Sequence, residues 1–162
     1  MVDKTEQVLR DHLLSLLTGG HAHINLEDFV AGFPAEKCGQ RIEGLPYTPW
    51  QVLEHIRLAQ WDILEFCRDQ NHSSPKWPEG YWPKPEEVGD ASLWQDTLAK
   101  LRIDLKQMGD LVLDPATDLF AKIPHGSGQT ILREALLVAD HNAYHLGALV
   151  VMGRALSKTK PD

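Results

Sequence analysis

The chain has 162 residues, 43% of them apolar and 24% charged, with a formal charge of −7. That is one domain's worth of chain, residues 1–162, with enough apolar side chains to bury a core unaided. The acidic balance and the lack of a basic run argue against a nucleic-acid surface, and two cysteines without a CxxC pair rule out a disulfide framework or thiolate zinc site. The opening residues are polar and no stretch of roughly 18 uncharged apolar residues is evident, so the expectation is a soluble cytoplasmic protein with no membrane contact.

Four segments carry helical periodicity and none carries a convincing strand pattern. The first runs from Thr5 to Leu17, with Leu9, Leu13 and Leu16 on one face and Gly19-Gly20 as the stop. A linker over 18–47 follows, in which Asn25 can cap a short helix through Val30. Thr48-Pro49 opens the second long helix: threonine caps, and proline suits a first helical position whose N–H needs no partner. Its stripe is Val52, Ile56, Ala59, Ile63 and Phe66. Residues 74–85 combine four prolines with Trp77, Tyr81 and Trp82, the composition of an ordered, non-helical flap. The third long helix starts after Asp90, reads Trp94, Leu98, Leu101, Leu105, Met108 and Val112, and stops at Asp114-Pro115. The fourth spans about Gln129 to Leu156. Four such amphipathic helices predict an all-α fold, a four-helix bundle with long inter-helix connections.

The eight histidines are the compositional oddity. Steps of three and four along the last helix give Val138, His141, His145, Ala148 and Met152, which sets two imidazoles one turn apart on one face. Burying both is costly unless their ring nitrogens are satisfied. A divalent metal or a hydrogen-bonded polar core meets that demand, and spacing leaves both open. For a metal, a third ligand is required. His55 lies beside the buried stripe of the second helix, three residues after Val52. Bundles build metal centres from such inward ligands on facing helices.

Two segments together carry a family resemblance: Thr48-Pro49-Trp50-Gln51-Val52-Leu53-Glu54-His55-Ile56, and Asp140-His141-Asn142-Ala143-Tyr144-His145-Leu146-Gly147. The chain resembles the DinB/YfiT-like superfamily of metalloenzymes over nearly its whole length. The resemblance implies His55, His141 and His145 as metal ligands, zinc or nickel as the divalent ion, and a homodimer. It also implies thiol-dependent S-transferases or metal-dependent hydrolases as reaction classes. Ala148 departs from it, since relatives often carry glutamine there.

An open three-histidine site leaves room for water or substrate. Three readings follow: a thiol-dependent transferase using a low-molecular-weight thiol, a hydrolase, or a non-enzymatic bundle stabilised by metal that binds partners. A small-molecule substrate is expected from a buried triad. His21 and His23 are candidates to reach the open position as proton shuttle or fourth ligand, and Tyr144 to donate to a bound anion. Asp62 and Asn142 are candidates to orient imidazole N–H groups. Glu54 points about 100° from His55 and is not expected as a base. The segment before Thr48 is expected to line the mouth in preference to residues 71–89, unless the latter fold back. Cys38 and Cys67 carry no sign of activation. On the second helix Leu53, Leu58, Trp61 and Leu64 spread beyond one stripe, a pattern suited to a partner surface.

Overall fold

The computed structural model describes residues 3–158. It is helical, with five α-helices and no strand among those residues: α1 (Lys4–Thr18), α2 (Leu26–Gly32), α3 (Pro49–Arg68), α4 (Ala91–Leu113) and α5 (Ile131–Lys158). Single 3-10 turns occupy Ala35–Lys37 and Glu79–Tyr81.

Local chemistry sets the helix starts. Thr48 Oγ1 accepts from the Gln51 N–H while the Gln51 side chain accepts from the Thr48 N–H, a reciprocal cap with Pro49 at the first helical position. Asp90 caps α4 through the Leu93 N–H at 2.8 Å, and Asn25 caps α2 through the Asp28 N–H at 2.7 Å.

The long helices α1, α3, α4 and α5 pack on one another, α3 against both α4 and α5, and α1 across α4 and α5. The stripe expected of α4 is buried, with Trp94, Leu98, Leu101, Met108 and Val112 wholly inaccessible. In α1 the buried face is Arg10, Leu13 and Leu17, whereas Leu16 is 53% exposed. Arg10 takes that inward place because its guanidinium donates to the carbonyls of Val112, Asp114 and Thr117, closing the open end of α4.

The apolar core divides into two clusters. One gathers Phe29, Phe33, Trp50, Leu53, Trp94 and Leu149; the other gathers Leu13, Leu64, Met108, Val112, Ile131 and Val138. Between them lies a polar layer. Gln60, with no exposed surface, donates to the Leu101 carbonyl at 2.8 Å and accepts from Asn142 Nδ2 at 2.7 Å. The layer is where α3 and α5 bring their histidines together.

Of the extra apolar positions of α3, Leu53 and Leu64 are buried within the chain, while Leu58 and Trp61 remain partly exposed. Residues 131–157 of α5 are long and apolar enough to cross a membrane by length and composition, although Arg133, Glu134, Asp140 and Arg154 interrupt any uncharged run. In the structure Ala135, Val138, Leu146, Leu149 and Met152 of that helix form a wall of the core.

Candidate metal centre

His55 is only 2% exposed and lies in the second turn of α3. Its Nδ1–H donates to the Tyr81 carbonyl at 2.8 Å. A carbonyl can only accept, so the proton is on Nδ1 and Nε2 bears the lone pair. Burial lowers the pKa of His55 below the ordinary imidazole value, which keeps the ring neutral.

His141 Nε2 and His145 Nε2 each approach His55 Nε2 to 3.1 Å. The three imidazoles form the group of His, Cys, Asp or Glu side chains, among the described residues, whose ligand atoms all lie within 4.8 Å of one another. Burial, then the neighbouring imidazoles, lower His145 to about 4. Burial, then His55, bring His141 to about 4. All three rings are therefore neutral near pH 7, the form in which imidazole binds a metal.

The arrangement fits a divalent ion. Ligand bonds of about 2.0–2.1 Å at tetrahedral angles set neighbouring nitrogens roughly 3.3 Å apart, close to the observed 3.1 Å. The in-plane lone pair of His55 Nε2 can accept one hydrogen bond, yet two nitrogens converge on it. That geometry suits a shared cation better than a hydrogen-bonded polar core. The cluster could hold a metal ion.

His141 and His145 sit at the margin of the buried face of α5 and are half-buried, and Ala148, expected in the seam, is exposed. The triad therefore opens at its α5 side and is closed at its α3 side. Closure comes from the flap. Its carbonyls are held in reverse order along α3: Val88 by Thr48 Oγ1 at 2.8 Å, Lys84 by Gln51 Nε2 at 3.1 Å, and Tyr81 by His55. Gly89 permits the return, because its φ is +85° and a Cβ there would fall 2.4 Å from the Trp50 ring. Trp82 then stacks on His55 with centroids 3.8 Å apart and planes 4° from parallel, and Tyr47 stacks on the far face of the arrangement at 3.9 Å.

Residues 71–89 thus fold back over the site, and Tyr81 and Trp82 are site residues that the sequence reading did not single out. Their signal was the aromatic and proline density of that segment. The stretch before Thr48 also contributes, through Tyr47.

The other candidates are placed as follows. Asp62 orients no ligand ring directly. It accepts from the Tyr81 hydroxyl at 2.6 Å and from His72 Nε2–H at 2.7 Å, so it acts on His55 only through the flap. Asn142 Oδ1 and His141 Nδ1 are both buried without a hydrogen-bond partner, and Asn142 Nδ2 is committed to Gln60. Glu54 pairs with Arg57 and accepts from Thr97, away from the triad. His21 bonds Ser15 and His23 Nδ1–H donates to the Ile24 carbonyl; both line a cavity of about 150 Å³ that Asn142 and Leu146 share and the triad does not. Tyr144 is 75% exposed, with its ring edge-on to His145 at 4.9 Å. Burial pushes the Cys38 thiol up to about 11 and the Cys67 thiol up to about 12, so neither is a ready nucleophile.

The decisive comparison is with a known family. The chain belongs to the DinB superfamily, whose description matches residues 21–149. No curated protein and no solved structure matches the chain. The matched span holds all three histidines and the flap, so the cluster that geometry assembles lies inside the family's own region.

Proposed function

We propose that this chain is a metal-dependent enzyme acting on a small molecule, its four long helices forming a four-helix bundle around one divalent ion, zinc or nickel, held by His55, His141 and His145. The observation that carries the reading is the approach of two imidazole nitrogens to the single lone pair of His55 Nε2. When bound, such an ion supplies Lewis acidity sufficient to ionise a thiol or a water near neutral pH. Tyr81 fixes the His55 tautomer, and Trp82 shields that ring from water on one face.

Among the reaction classes, we favour a thiol-dependent transferase using a low-molecular-weight thiol. Hydrolysis is served by a general base at the site, and the nearby carboxylates are committed elsewhere: Glu54 to Arg57 and Asp62 to Tyr81 and His72. A thiol needs less, because coordination itself removes its proton. The family resemblance supports a homodimer and the composition a cytoplasmic protein.

Elemental analysis of the purified protein tests the metal, with about one ion per chain expected. His55→Ala and His141→Ala that keep full occupancy defeat the ligand set. Calorimetric titration of the loaded protein with cysteine and glutathione tests the thiol reading, and His145→Ala should abolish the binding. Ester or amide turnover without thiol binding selects the hydrolase. Neither activity, with metal removal only lowering the melting temperature, selects a non-enzymatic bundle.

A further inference from the structure

Beside the triad, the margin between α3 and α5 carries a concavity of about 380 Å³ that the proposed chemistry does not use. Its walls include Leu45, Tyr47, Val52, Tyr144, Ala148 and Met152, and no charged side chain lines it. The two helices run antiparallel here, with Gln60 beside Asn142 and Val52 near Ala148 and Met152. Val52 lies three residues before His55 and Ala148 three residues after His145. Each offset is about 4.5 Å along its helix, so the groove begins next to the three imidazoles, on their half-exposed side. Its aromatic walls are also continuous with the site. Tyr47 stacks on Trp82, which stacks on His55, and Tyr144 packs edge-on against His145.

We infer that this groove seats the apolar arm of the substrate, a small molecule whose reacting end lies at the three-histidine centre and whose remainder is hydrocarbon or aromatic. The volume falls in the range of small-molecule pockets, about 300–1,000 Å³. A stable protein partner needs roughly 800 Å² of surface on each side, far more than this concavity offers. Apart from the Tyr47 and Tyr144 hydroxyls the lining is apolar, so the polar groups of a charged or heavily hydroxylated arm would lose water for few partners.

The inference rests on the proposed metal site, and the test separates the two. Zinc-loaded protein is titrated with acetohydroxamate, butyrohydroxamate and hexanohydroxamate, which share one metal-binding head and differ in alkyl length. Affinity should rise about fourfold for each added methylene. In A148F, which fills the groove, that gain should vanish; in the control Leu136→Phe, an exposed position on α5 outside the groove, it should persist. Acetohydroxamate that binds with no gain in the longer homologues overturns the subsite and leaves the metal reading standing. Failure of acetohydroxamate itself to bind the zinc-loaded protein removes the open coordination position, and the subsite with it. A gain that survives in A148F, while sedimentation shows a dimer converted to monomer, assigns the groove to a second copy and overturns the inference.

Discussion

Removing the hydroxyl of Tyr81 tests how the flap holds the site. Tyr81 is 9% exposed, and its hydroxyl donates to Asp62 Oδ2 at 2.6 Å while Asp62 Oδ1 accepts from His72. Burial first, then the Asp62 carboxylate, push the tyrosine up to about 12, so the hydroxyl stays a donor at any physiological pH. Tyr81→Phe keeps the ring and the carbonyl that His55 uses, and deletes one charge-assisted hydrogen bond. The carboxylate it abandons is 7% exposed and cannot recover a full water shell. A cost of about 2 kcal/mol follows. For a chain of this length that lowers the thermal midpoint by about 4–8 °C. Metal affinity should fall by less than about tenfold, since loss of a ligand's own partner typically costs ten- to a hundredfold and that partner, the backbone carbonyl, remains. Calorimetry of the metal-free protein and competition with a chromophoric chelator read the two quantities. An unchanged midpoint refutes the clamp. An unchanged midpoint with a hundredfold loss of affinity moves the hydroxyl into the metal site and refutes the geometry argued above.

Arg10→Ala leaves the Val112, Asp114 and Thr117 carbonyls without their shared donor, and should lower the urea-unfolding free energy by about 3 kcal/mol; a loss below about 1 kcal/mol contradicts the capping role. The metal-free protein should weaken in acid. His141 and His145 are held at about 4 when folded and titrate near 6.5 when unfolded, so the unfolded state binds more protons between those values. Stability is then flat above pH 6.5 and falls as pH drops towards 4, by about 3 kcal/mol in all after discounting for partial solvent exposure; urea midpoints that do not change across this window rule it out. In the loaded protein the same lowering carries proton competition for the ligands below the pH 6.5 of a free imidazole, which metal titrations at stepped pH measure. Sedimentation at micromolar concentration should show a dimer, and an 18.2 kDa species alone excludes it.

The helices were legible because their signals are local. Thr48-Pro49, Asp90 and Asn25 satisfy N–H groups two or three residues away, and no other part of the chain is needed to see it. The face of α1 was misplaced by one residue for the opposite reason. Arg10 is buried to serve carbonyls about a hundred positions later, and Leu17 replaces Leu16 to accommodate the resulting rotation. Long-range polar demands of that kind leave no periodicity. Asp62 shows the same limit, since its partners Tyr81 and His72 become visible only once the flap is seen to return along α3.

The last helix shows why spacing found the histidines and misjudged their depth. Val138, His141, His145, Ala148 and Met152 advance by 3.5 residues per step, and a straight helix turns once in 3.6, so such a stripe drifts around the axis by about 20° per heptad. The face that is buried instead runs through Ala135, Val138, Ala139, Leu146, Leu149, Met152 and Leu156, with half-buried Asn142 in line. His141 and His145 each precede a residue of that face by one position, which rotates them to its edge. There they still reach His55, because α3 buries its own histidine and presents Nε2 outwards along the lone-pair direction that the Tyr81 carbonyl selects. A triad set wholly in the seam would be enclosed by Val138 and Met152 and closed to any ligand beyond the ion. At the edge, with Trp82 stacked on His55, the same three imidazoles keep their nitrogens together while His141 and His145 stay half-exposed.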